Sequence, residues 1–315
     1  MDFDEKYIPP AFGSTNIGAT CYFNSMFQML VSCTSLTKVF LANKNNAVYL
    51  ANNVAVTYLK ILEDIFIHHD LSNAPNFAPS FWHSIIEHLR SHGEQRHFGH
   101  GQEDTHESFQ MLMECWEKLD EVMKLFTHID NIHIFCTGCD QWDHDPTKAS
   151  RDEKLTYFSV TPNFKNDLPE ALERRIKSKI PSGNLEDILI RQLTYIKDFK
   201  CQNLITQTEG TAVCLSTADK IKSVSMRYVP VILIVVCMKY AGKVNTPFPQ
   251  TLTIGPKKYK AIAHIIHSGD IGGGHYYAKA MRQGGWYTLN DSGIGGAGPD
   301  FVPEEGTYVV TYHSY

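Results

Sequence analysis

The chain has 315 residues, of which 43% are hydrophobic and 20% are charged, and its formal net charge is −5. These values indicate a globular protein with one or two domains and exclude the basic surface of a nucleic-acid-binding protein. The N-terminus has no apolar leader, and the longest apolar stretch, residues 231–238, is much shorter than the roughly 20 residues that span a bilayer. We therefore expect no membrane association and an intracellular location, in the cytoplasm, the nucleus or both.

A cysteine stands at the start of the first predicted helix. The polar segment 13–20 precedes Cys21, and apolar side chains then recur at the i, i+3, i+4, i+7 spacing of one helix face, while Thr20 can cap the helix. Most structural cysteines are inert and buried. The unpaired N–H groups and the dipole of a helix N-terminus favour thiolate over thiol, so this context predicts that Cys21 is a nucleophile.

The rest of the N-terminal part is also predicted to be helical. Periodic apolar residues indicate further helices over residues 54–67, 81–89 and 103–126. Asp104, followed three positions later by Glu107, forms a capping-box pattern at the start of the last helix. We expect the apolar face of that helix to pack in the core.

The C-terminal part is predicted to be rich in strands. Residues from about 132 to 224 mix short strand-like runs with polar insertions, which indicates an extension from the main body. From Tyr228 onward, Gly and Pro turns separate strands predicted over residues 231–236, 259–267, 275–281, 286–289 and 307–312. Helices followed by strands predict an α+β fold.

Two of these strands form a hairpin that brings a histidine close to a polar pair. The loop is centred near Gly284, and partner numbers have a constant sum in antiparallel pairing, so His275 lies within about two or three residues of pairing with Asn290 or Asp291. A thiolate nucleophile needs a base, and the base needs a group that holds its tautomer. Because side chains alternate along a strand, only one of the two polar residues can face the imidazole, and either can serve.

Three separated segments resemble, in order, the sequence boxes of the ubiquitin-specific proteases, which are papain-like cysteine deubiquitinases. Residues 13–28 resemble the Cys box, residues 102–107 the Gln-Gln-Asp box, and residues 274–276 with 286–292 the His box. The resemblance covers essentially the whole chain. It implies a single catalytic domain with a papain-like α+β fold, in which a helical thumb occupies about residues 1–130, a fingers-like extension 131–225 and a strand-rich palm 226–315.

The resemblance also implies an activity and the residues that perform it. The activity is thiol-dependent hydrolysis of the peptide or isopeptide bond after the C-terminal Gly-Gly of ubiquitin. Cys21 matches the nucleophile, His275 the base and Asn290 the third member of the triad, with Asp291 as the alternative. Asn16 matches the position that, together with the backbone N–H of Cys21, stabilises the oxyanion.

Asp104 and Glu107 match positions at which the family holds the ubiquitin tail. The residues predicted to bind the substrate are Gln102, Asp104, Glu107, Gly274 and Tyr276. Carboxylates form charge-assisted pairs with arginines, so Asp104 and Glu107 suit a basic tail, and this role is compatible with capping a helix. The Gly-Gly end of ubiquitin has no side chains, so the glycines at 272–274 and the ring of Tyr276 suggest a narrow slot that selects it.

One departure from the family concerns zinc. Many such proteases hold zinc in the fingers with two Cys-x-x-Cys pairs, whereas this chain retains Cys136 and Cys139 of the first pair and only Cys201 of the second. A structural zinc needs four ligands, so zinc would require a substitute such as His144 or Cys214. We therefore expect no cofactor.

Three other interpretations stay open at this point. The fold and nucleophile also suit a protease for a ubiquitin-like modifier. A ubiquitin-binding pseudoenzyme is a second alternative, although retention of Cys21, His275, Asn290 and Asn16 argues against it. A redox or zinc protein built on the Cys-x-x-Cys pair lacks the expected βαβ context. The expected partners are ubiquitin or ubiquitinated proteins. Targets would be selected either by the surface of the catalytic body or by a recruiting partner.

Overall fold

The computed structural model describes residues 3–93, 103–136, 138–139, 141–142, 153–160, 192–196, 204–207, 210–213, 220–237, 248–254, 256–270 and 273–315. The chain divides into two compact units. The first comprises Met1–Thr127, Thr156–Ser159 and Pro230–Tyr315, and the second comprises His128–Leu155 and Val160–Val229. The N-terminal helices and the C-terminal strands therefore belong to one unit.

The helices of the described chain all lie in the first unit. They are α1 (Cys21–Val31), α2 (Thr34–Ala42), α3 (Ala47–Leu50), α4 (Asn53–Glu63), α5 (Phe77–Ser91), α6 (Thr105–Cys115) and α7 (Asp120–Phe126). Short 3-10 turns occur at Glu5–Tyr7 and Ala74–Asn76, and a π-type turn, Asp64–His68, continues from α4. The predicted helix over 81–89 lies inside α5, and the predicted helix over 54–67 corresponds to α4 and the π-type turn.

The prediction of one long helix over residues 103–126 is wrong, because the chain breaks between α6 and α7. The Cys115 carbonyl accepts a hydrogen bond from Asn52 Nδ2 (2.7 Å), while the Leu119 N–H turns to the Trp116 carbonyl (2.8 Å). The helical bond between residues 115 and 119 is therefore replaced by a side-chain bond from another segment. The break also places Trp116 and Leu119 in the core, where they are 0% and 1% exposed.

Helix α2 is missing from the prediction because its local sequence signals are weak. It contains the β-branched residues Thr34, Thr37 and Val39, which have modest helix propensity, and its N-cap, Cys33, makes no side-chain capping bond. Leu36 and Phe40 are nevertheless fully buried. Tertiary packing thus stabilises a helix that local propensity alone does not indicate.

The strands of the first unit form an antiparallel sheet. Its members are β4 (Phe158–Val160), β9 (Ile232–Cys237), β10 (Thr251–Ile254), β11 (Lys257–Asp270), β12 (Gly273–Arg282), β13 (Gly285–Asn290), β14 (Gly293–Gly298) and β15 (Thr307–Ser314). Their order is β14-β13-β12-β11-β15-β9-β4, and β10 pairs with β11. All five predicted strands are confirmed, whereas β10 and β14 were not predicted. Helices and an antiparallel sheet in one unit confirm the α+β class.

The predicted hairpin is formed by β12 and β13. Ala278 pairs with Leu289 and Ala280 with Tyr287, so partner numbers sum to 567 (278 + 289), and the turn lies between Arg282 and Gly285. Continuing this register would place His275 opposite residue 292 (567 − 275), two positions beyond Asn290. The predicted proximity of the histidine to the polar pair is therefore confirmed.

Helix α1 is buried along its whole length and packs against the sheet. Every one of its residues is buried, and its apolar side chains share a core cluster with Ile265, Tyr276, Ala280 and Leu289 of β11, β12 and β13. The helix that begins at Cys21 therefore lies on the strands that surround His275. Burial of large apolar side chains at this contact contributes roughly 1.5–3 kcal/mol per residue to folding.

The second unit is built from strands in its described part. These are β1 (His128–Cys136), β2 (Gln141–Trp142), β3 (Glu153–Leu155), β5 (Gln192–Ile196), β6 (Leu204–Gln207), β7 (Gly210–Val213) and β8 (Lys220–Tyr228). One antiparallel sheet has the order β2-β1-β8-β5, with β3 on β1, and β6 pairs with β7.

Over the described residues, no single helix has the length and hydropathy of a membrane span. Helices α1 and α2 reach that length and hydropathy only when they are taken together, and a 75° bend separates them.

Candidate active site

Cys21 is the first residue of α1 and is 4% exposed. The prediction that the Thr20 side chain caps this helix is wrong. Its hydroxyl instead accepts from the Ile17 N–H (3.1 Å) and donates to Asn16 Oδ1 (3.2 Å). Two consecutive left-handed residues, Gly18 (φ 96°) and Ala19 (φ 40°), turn the chain there, so the hydroxyl faces the preceding loop. The first N–H groups of α1 are thus left without this side-chain acceptor.

Asn16 organises the loop that precedes the cysteine. Its Oδ1 accepts from the backbone N–H groups of Gly18 (3.1 Å) and Thr20 (3.2 Å), and its Nδ2 donates to Asp291 Oδ2 (2.9 Å). The carbonyl oxygen therefore fixes the loop, and the amide nitrogen is oriented by a carboxylate. A carboxamide nitrogen carries two hydrogens, so one remains for another acceptor.

Asp291 joins the C-terminal hairpin to the loop and helix around the cysteine. Its second oxygen, Oδ1, accepts from Asn24 Nδ2 (2.7 Å) on α1, and its backbone carbonyl accepts from the Ser14 N–H (2.8 Å). The residue adopts a left-handed backbone with φ of 50°, which aspartate and asparagine tolerate better than most residues do. Asp291 therefore faces Asn16 and Asn24.

His275 is paired with the other polar residue of the hairpin. His275 Nε2 lies 2.6 Å from Asn290 Oδ1. Because the amide oxygen can only accept, this bond puts the proton on Nε2 and leaves Nδ1 as the basic nitrogen of the neutral ring. Asn290 thus orients the imidazole, whereas Asp291 binds the side chains of Asn16 and Asn24.

The residues beside His275 are tightly packed. A Cβ atom on Gly274 would lie 2.6 Å from the Ser268 carbonyl oxygen and would overlap the His267 imidazole, so only glycine fits there. The Tyr276 ring is 4% exposed, lies 4.4 Å from the His267 ring and 6.1 Å from the Tyr308 ring. Its placement supports a role in fixing the strand behind the site, whereas direct contact of Tyr276 with a substrate stays a prediction.

Asp104 is engaged within the unit, as the predicted N-cap of α6. Its Oδ1 accepts from the His106 N–H (2.8 Å) and lies 3.0 Å from His106 Nδ1, and its Oδ2 accepts from the Tyr308 hydroxyl (2.7 Å). Burial acts to raise the pKa of Asp104, but the hydrogen bonds from His106 and Tyr308 outweigh it and hold the pKa below its usual value. The carboxylate is therefore stable as an anion.

The other predicted tail contacts are placed differently. Glu107 is exposed in the first turn of α6, and Glu103 precedes the helix with a pKa raised by burial and by the charge of Glu107. Gln102 lies outside the described residues. Two carboxylates near one helix N-terminus give this surface a negative charge that complements a basic ligand.

Sequence reasoning missed Asn24 and Tyr308, which hold Asp291 and Asp104 in place. Asn24 lies one helical turn from Cys21 and is 3% exposed. The available signal was a polar residue on a helix that consists mostly of apolar residues. Tyr308 carried no such signal, because tyrosine is common in strands.

Metal-ligand candidates are few in the part of the chain that the structure describes. There, no group of three or more His, Cys, Asp or Glu side chains is placed to hold a metal ion. Cys136 is buried at the end of β1 and Cys139 is half-buried. Two thiolates fall short of the four ligands of a structural zinc, and Cys201 lies outside the described residues. The expectation of no cofactor stays a prediction.

Comparisons with known proteins agree on one family. The sequence profile of the ubiquitin carboxyl-terminal hydrolase family matches residues 12–312. A probable ubiquitin carboxyl-terminal hydrolase 16 of Schizosaccharomyces pombe is 20% identical over 99% of this chain and 68% of its own length. Ubiquitin carboxyl-terminal hydrolase 25 of Arabidopsis thaliana is 20% identical over 96% of this chain and 47% of its own length. The chain thus spans about half to two thirds of these relatives.

Solved structures show the same fold. The SAGA DUB module of Ubp8, Sgf11, Sus1 and Sgf73 bound to monoubiquitin contains a chain that matches all of this one with a TM-score of 0.66 at 18% identity, over 71% of that chain. The same module bound to ubiquitin aldehyde matches 99% of this chain with a TM-score of 0.63 at 18% identity, again over 71% of that chain. The papain-like deubiquitinase fold is therefore confirmed.

Proposed function

The chain belongs to the ubiquitin carboxyl-terminal hydrolase family, and from this premise we propose that it is an active cysteine-type deubiquitinase that cleaves after the C-terminal Gly-Gly of ubiquitin. The observation that carries the proposal is the 2.6 Å bond between His275 Nε2 and Asn290 Oδ1. This bond occupies Nε2 and leaves the basic Nδ1 directed away from Asn290. A base that takes a proton from a thiol needs such a free basic nitrogen. Cys21 at the start of a buried helix supplies that thiol.

The proposed reaction uses these residues in two steps. The Cys21 thiolate attacks the carbonyl carbon of the terminal glycine, and the oxyanion that forms receives hydrogen bonds from the Cys21 N–H and the second N–H of Asn16. His275, now protonated, donates its proton to the departing lysine amine, which leaves an acyl-enzyme. His275 then takes a proton from water, whose attack releases the ubiquitin carboxylate and restores the thiol.

Several features of the described residues support a basic tail as the ligand. Glu107 and Glu103 are carboxylates near the start of α6, and their mutual repulsion is relieved when a guanidinium binds between them. Both oxygens of Asp104 are already engaged, so we assign it a supporting role in positioning that helix end. Three predictions complete the proposal. Gln102 and Gly274 contact the ubiquitin tail, a recruiting partner binds the protein, and the protein is located in the cytoplasm or the nucleus.

Covalent labelling tests this proposal. Ubiquitin with a C-terminal electrophile should form a stable adduct with the protein, and Cys21→Ala should abolish the adduct. Cys115→Ala is the matched control, because burial raises the pKa of the Cys115 thiol to about 12 and keeps it unreactive. Binding of ubiquitin without an adduct would instead identify a pseudoenzyme, and an adduct with a ubiquitin-like probe alone would identify a different modifier.

A further inference from the structure

Arg282, the last residue of β12, is buried in the first unit, and no carboxylate among the described residues forms an ion pair with it. Its side chain is 1% exposed. Nη1 donates to Ser32 Oγ (2.7 Å) and to the Met281 carbonyl (2.9 Å), and Nη2 donates to the Gln28 carbonyl (3.1 Å) and to Gln28 Oε1 (2.6 Å). All four acceptors are neutral oxygens. In the described part of the chain, no ion pair offsets the cost of taking this cation out of water.

Three of the four acceptors of Arg282 lie at the C-terminal end of α1. The Gln28 carbonyl belongs to the last turn of the helix, where carbonyl groups lack intrahelical partners and carry the negative end of the helix dipole. Ser32, the C-cap, accepts from Arg282 and itself donates to the Gln28 carbonyl (2.8 Å). A guanidinium has five donors in a rigid planar fork, so it can bind several of these oxygens at once.

The network reaches three chain segments, and each segment carries one residue of the candidate site. Strand β12 ends at Arg282 and holds His275 near its other end. Helix α1 holds Cys21 at its start. Gln28 Nε2 donates to the Phe12 carbonyl (2.9 Å), and Phe12 leads directly into the loop that contains Asn16. One guanidinium and one carboxamide therefore link the strand, the helix and the loop.

We propose that Arg282 is a positioning residue that fixes the helix bearing Cys21 against the strand bearing His275, and so aligns the nucleophile with its base. The inference rests on the proposed function. Reactive groups must be held within about 0.5 Å of their productive positions. A displacement of about 1 Å can cost about a hundredfold in rate. An apolar residue of the same volume would avoid the burial cost of a charge, so the presence of a buried cation here agrees with a role in alignment.

Two substitutions test the role. Arg282→Met keeps much of the side-chain volume but removes every donor, and Arg282→Lys keeps the charge with fewer donors. We expect Arg282→Met to lower kcat about 10- to 100-fold on a fluorogenic ubiquitin amide, with KM changed less than about threefold. Arg282→Lys should recover part of kcat. A normal kcat in Arg282→Met below its unfolding temperature would overturn the inference.

A stability control separates alignment from general destabilisation. Leu62→Ala opens a cavity at a fully buried position of α4 and removes none of the hydrogen bonds of the Arg282 network, and we expect it to lower the unfolding temperature. Its kcat should match that of the wild type at temperatures at which both variants are folded. If Leu62→Ala lost kcat as severely as Arg282→Met at equal loss of unfolding temperature, the effect of Arg282 would be merely structural.

A second measurement needs no ubiquitin. The rate at which iodoacetamide alkylates Cys21, followed by mass spectrometry of the Cys21 peptide between about pH 5 and 9, reports pairing of the thiol with the imidazole. The profile of Arg282→Met should differ from that of the wild type and should match that of His275→Ala, in which the imidazole is absent. An unchanged profile would refute the alignment role. Failure of the wild type to cleave any ubiquitin substrate would refute the proposed function alone, because the alkylation profile would still report alignment.

Discussion

Asp291→Asn is the substitution that best tests how Asn16, the proposed oxyanion donor, is held. Asp291 accepts one hydrogen bond from Asn16 Nδ2 (2.9 Å) and one from Asn24 Nδ2 (2.7 Å). Asparagine has the same shape and tolerates the left-handed backbone at φ of 50°, but only one of its two terminal atoms can accept. One bond is therefore lost, and two N–H₂ groups are brought face to face.

The magnitude follows from the lost bond. A hydrogen bond to a charged group contributes about 1.5–3 kcal/mol, and since the Asn16 bond is solvent-exposed we expect a loss of about 1.5 kcal/mol in the free energy of unfolding. Removing an oxyanion donor costs about 10²–10³ in kcat. Asn16→Ala should show this full loss. Asp291→Asn, which only frees Asn16 to rotate, should lower kcat about 10- to 100-fold with little change in KM.

A double-mutant cycle decides whether Asp291 acts through Asn16. Turnover of a fluorogenic ubiquitin amide is measured for both single variants and for Asn16→Ala combined with Asp291→Asn, with Asp300→Asn, an exposed carboxylate, as the control. Because both substitutions remove one function, the double variant should be no more than about threefold slower than Asn16→Ala. If the two losses multiply instead, Asp291 serves another group and our reasoning is wrong.

Three more predictions follow from the site. Asn290→Ala removes the acceptor 2.6 Å from His275 Nε2 and should lower kcat at least about tenfold, whereas Asn290→Asp keeps an acceptor and should retain more of the activity; equal losses in kcat would exclude an orienting role. Gly274→Ala should impair turnover and folding, because its Cβ would lie 2.6 Å from the Ser268 carbonyl oxygen, whereas Gly296→Ala, which has nothing within 4 Å of the added carbon, should leave both unchanged in parallel assays. Tyr308→Phe removes a hydrogen bond that holds the pKa of Asp104 low and should reduce the free energy of unfolding at neutral pH by about 1–2 kcal/mol. A carboxyl with a lowered native pKa stabilises the fold above its unfolded pKa and ceases to do so as pH falls through its native pKa. Urea unfolding should therefore show this difference shrinking as pH falls below 3.8, the ordinary pKa of the carboxyl, and a difference that does not shrink there would contradict the assignment.

The sequence was most informative where a local pattern determines the geometry. The Cys21 helix follows from apolar periodicity, and the proximity of His275 to Asn290 follows from the number of residues around Gly284. Both depend on short stretches of chain. The choice between Asn290 and Asp291 could not be made, because it depends on the left-handed turn at Asp291 and on Asn16 and Asn24 more than 260 positions away.

The failed predictions share that cause. The side chain of Thr20 turned from the helix to Asn16, and the end of α6 is set by Asn52, which belongs to another segment. The roles of Arg282 and Tyr308 are equally non-local, since each side chain binds atoms more than 200 positions distant. Local propensity carries no information about such partners, so only the folded chain reveals them.

The separation of Cys21 from its base has a consequence for the newly made chain. The two residues are 254 positions apart (275 − 21), and the Ser14 N–H and Asp291 carbonyl that close the site are 277 apart. At roughly 5–20 residues per second, the ribosome adds the histidine about 13–50 s after the cysteine. Throughout that interval the nascent protein carries a thiol with neither its base nor its orienting carboxylate. The hydrogen bonds that join the Cys21 segment to the C-terminal hairpin can therefore form only after residue 291 has been added, so the site assembles late relative to the synthesis of its cysteine.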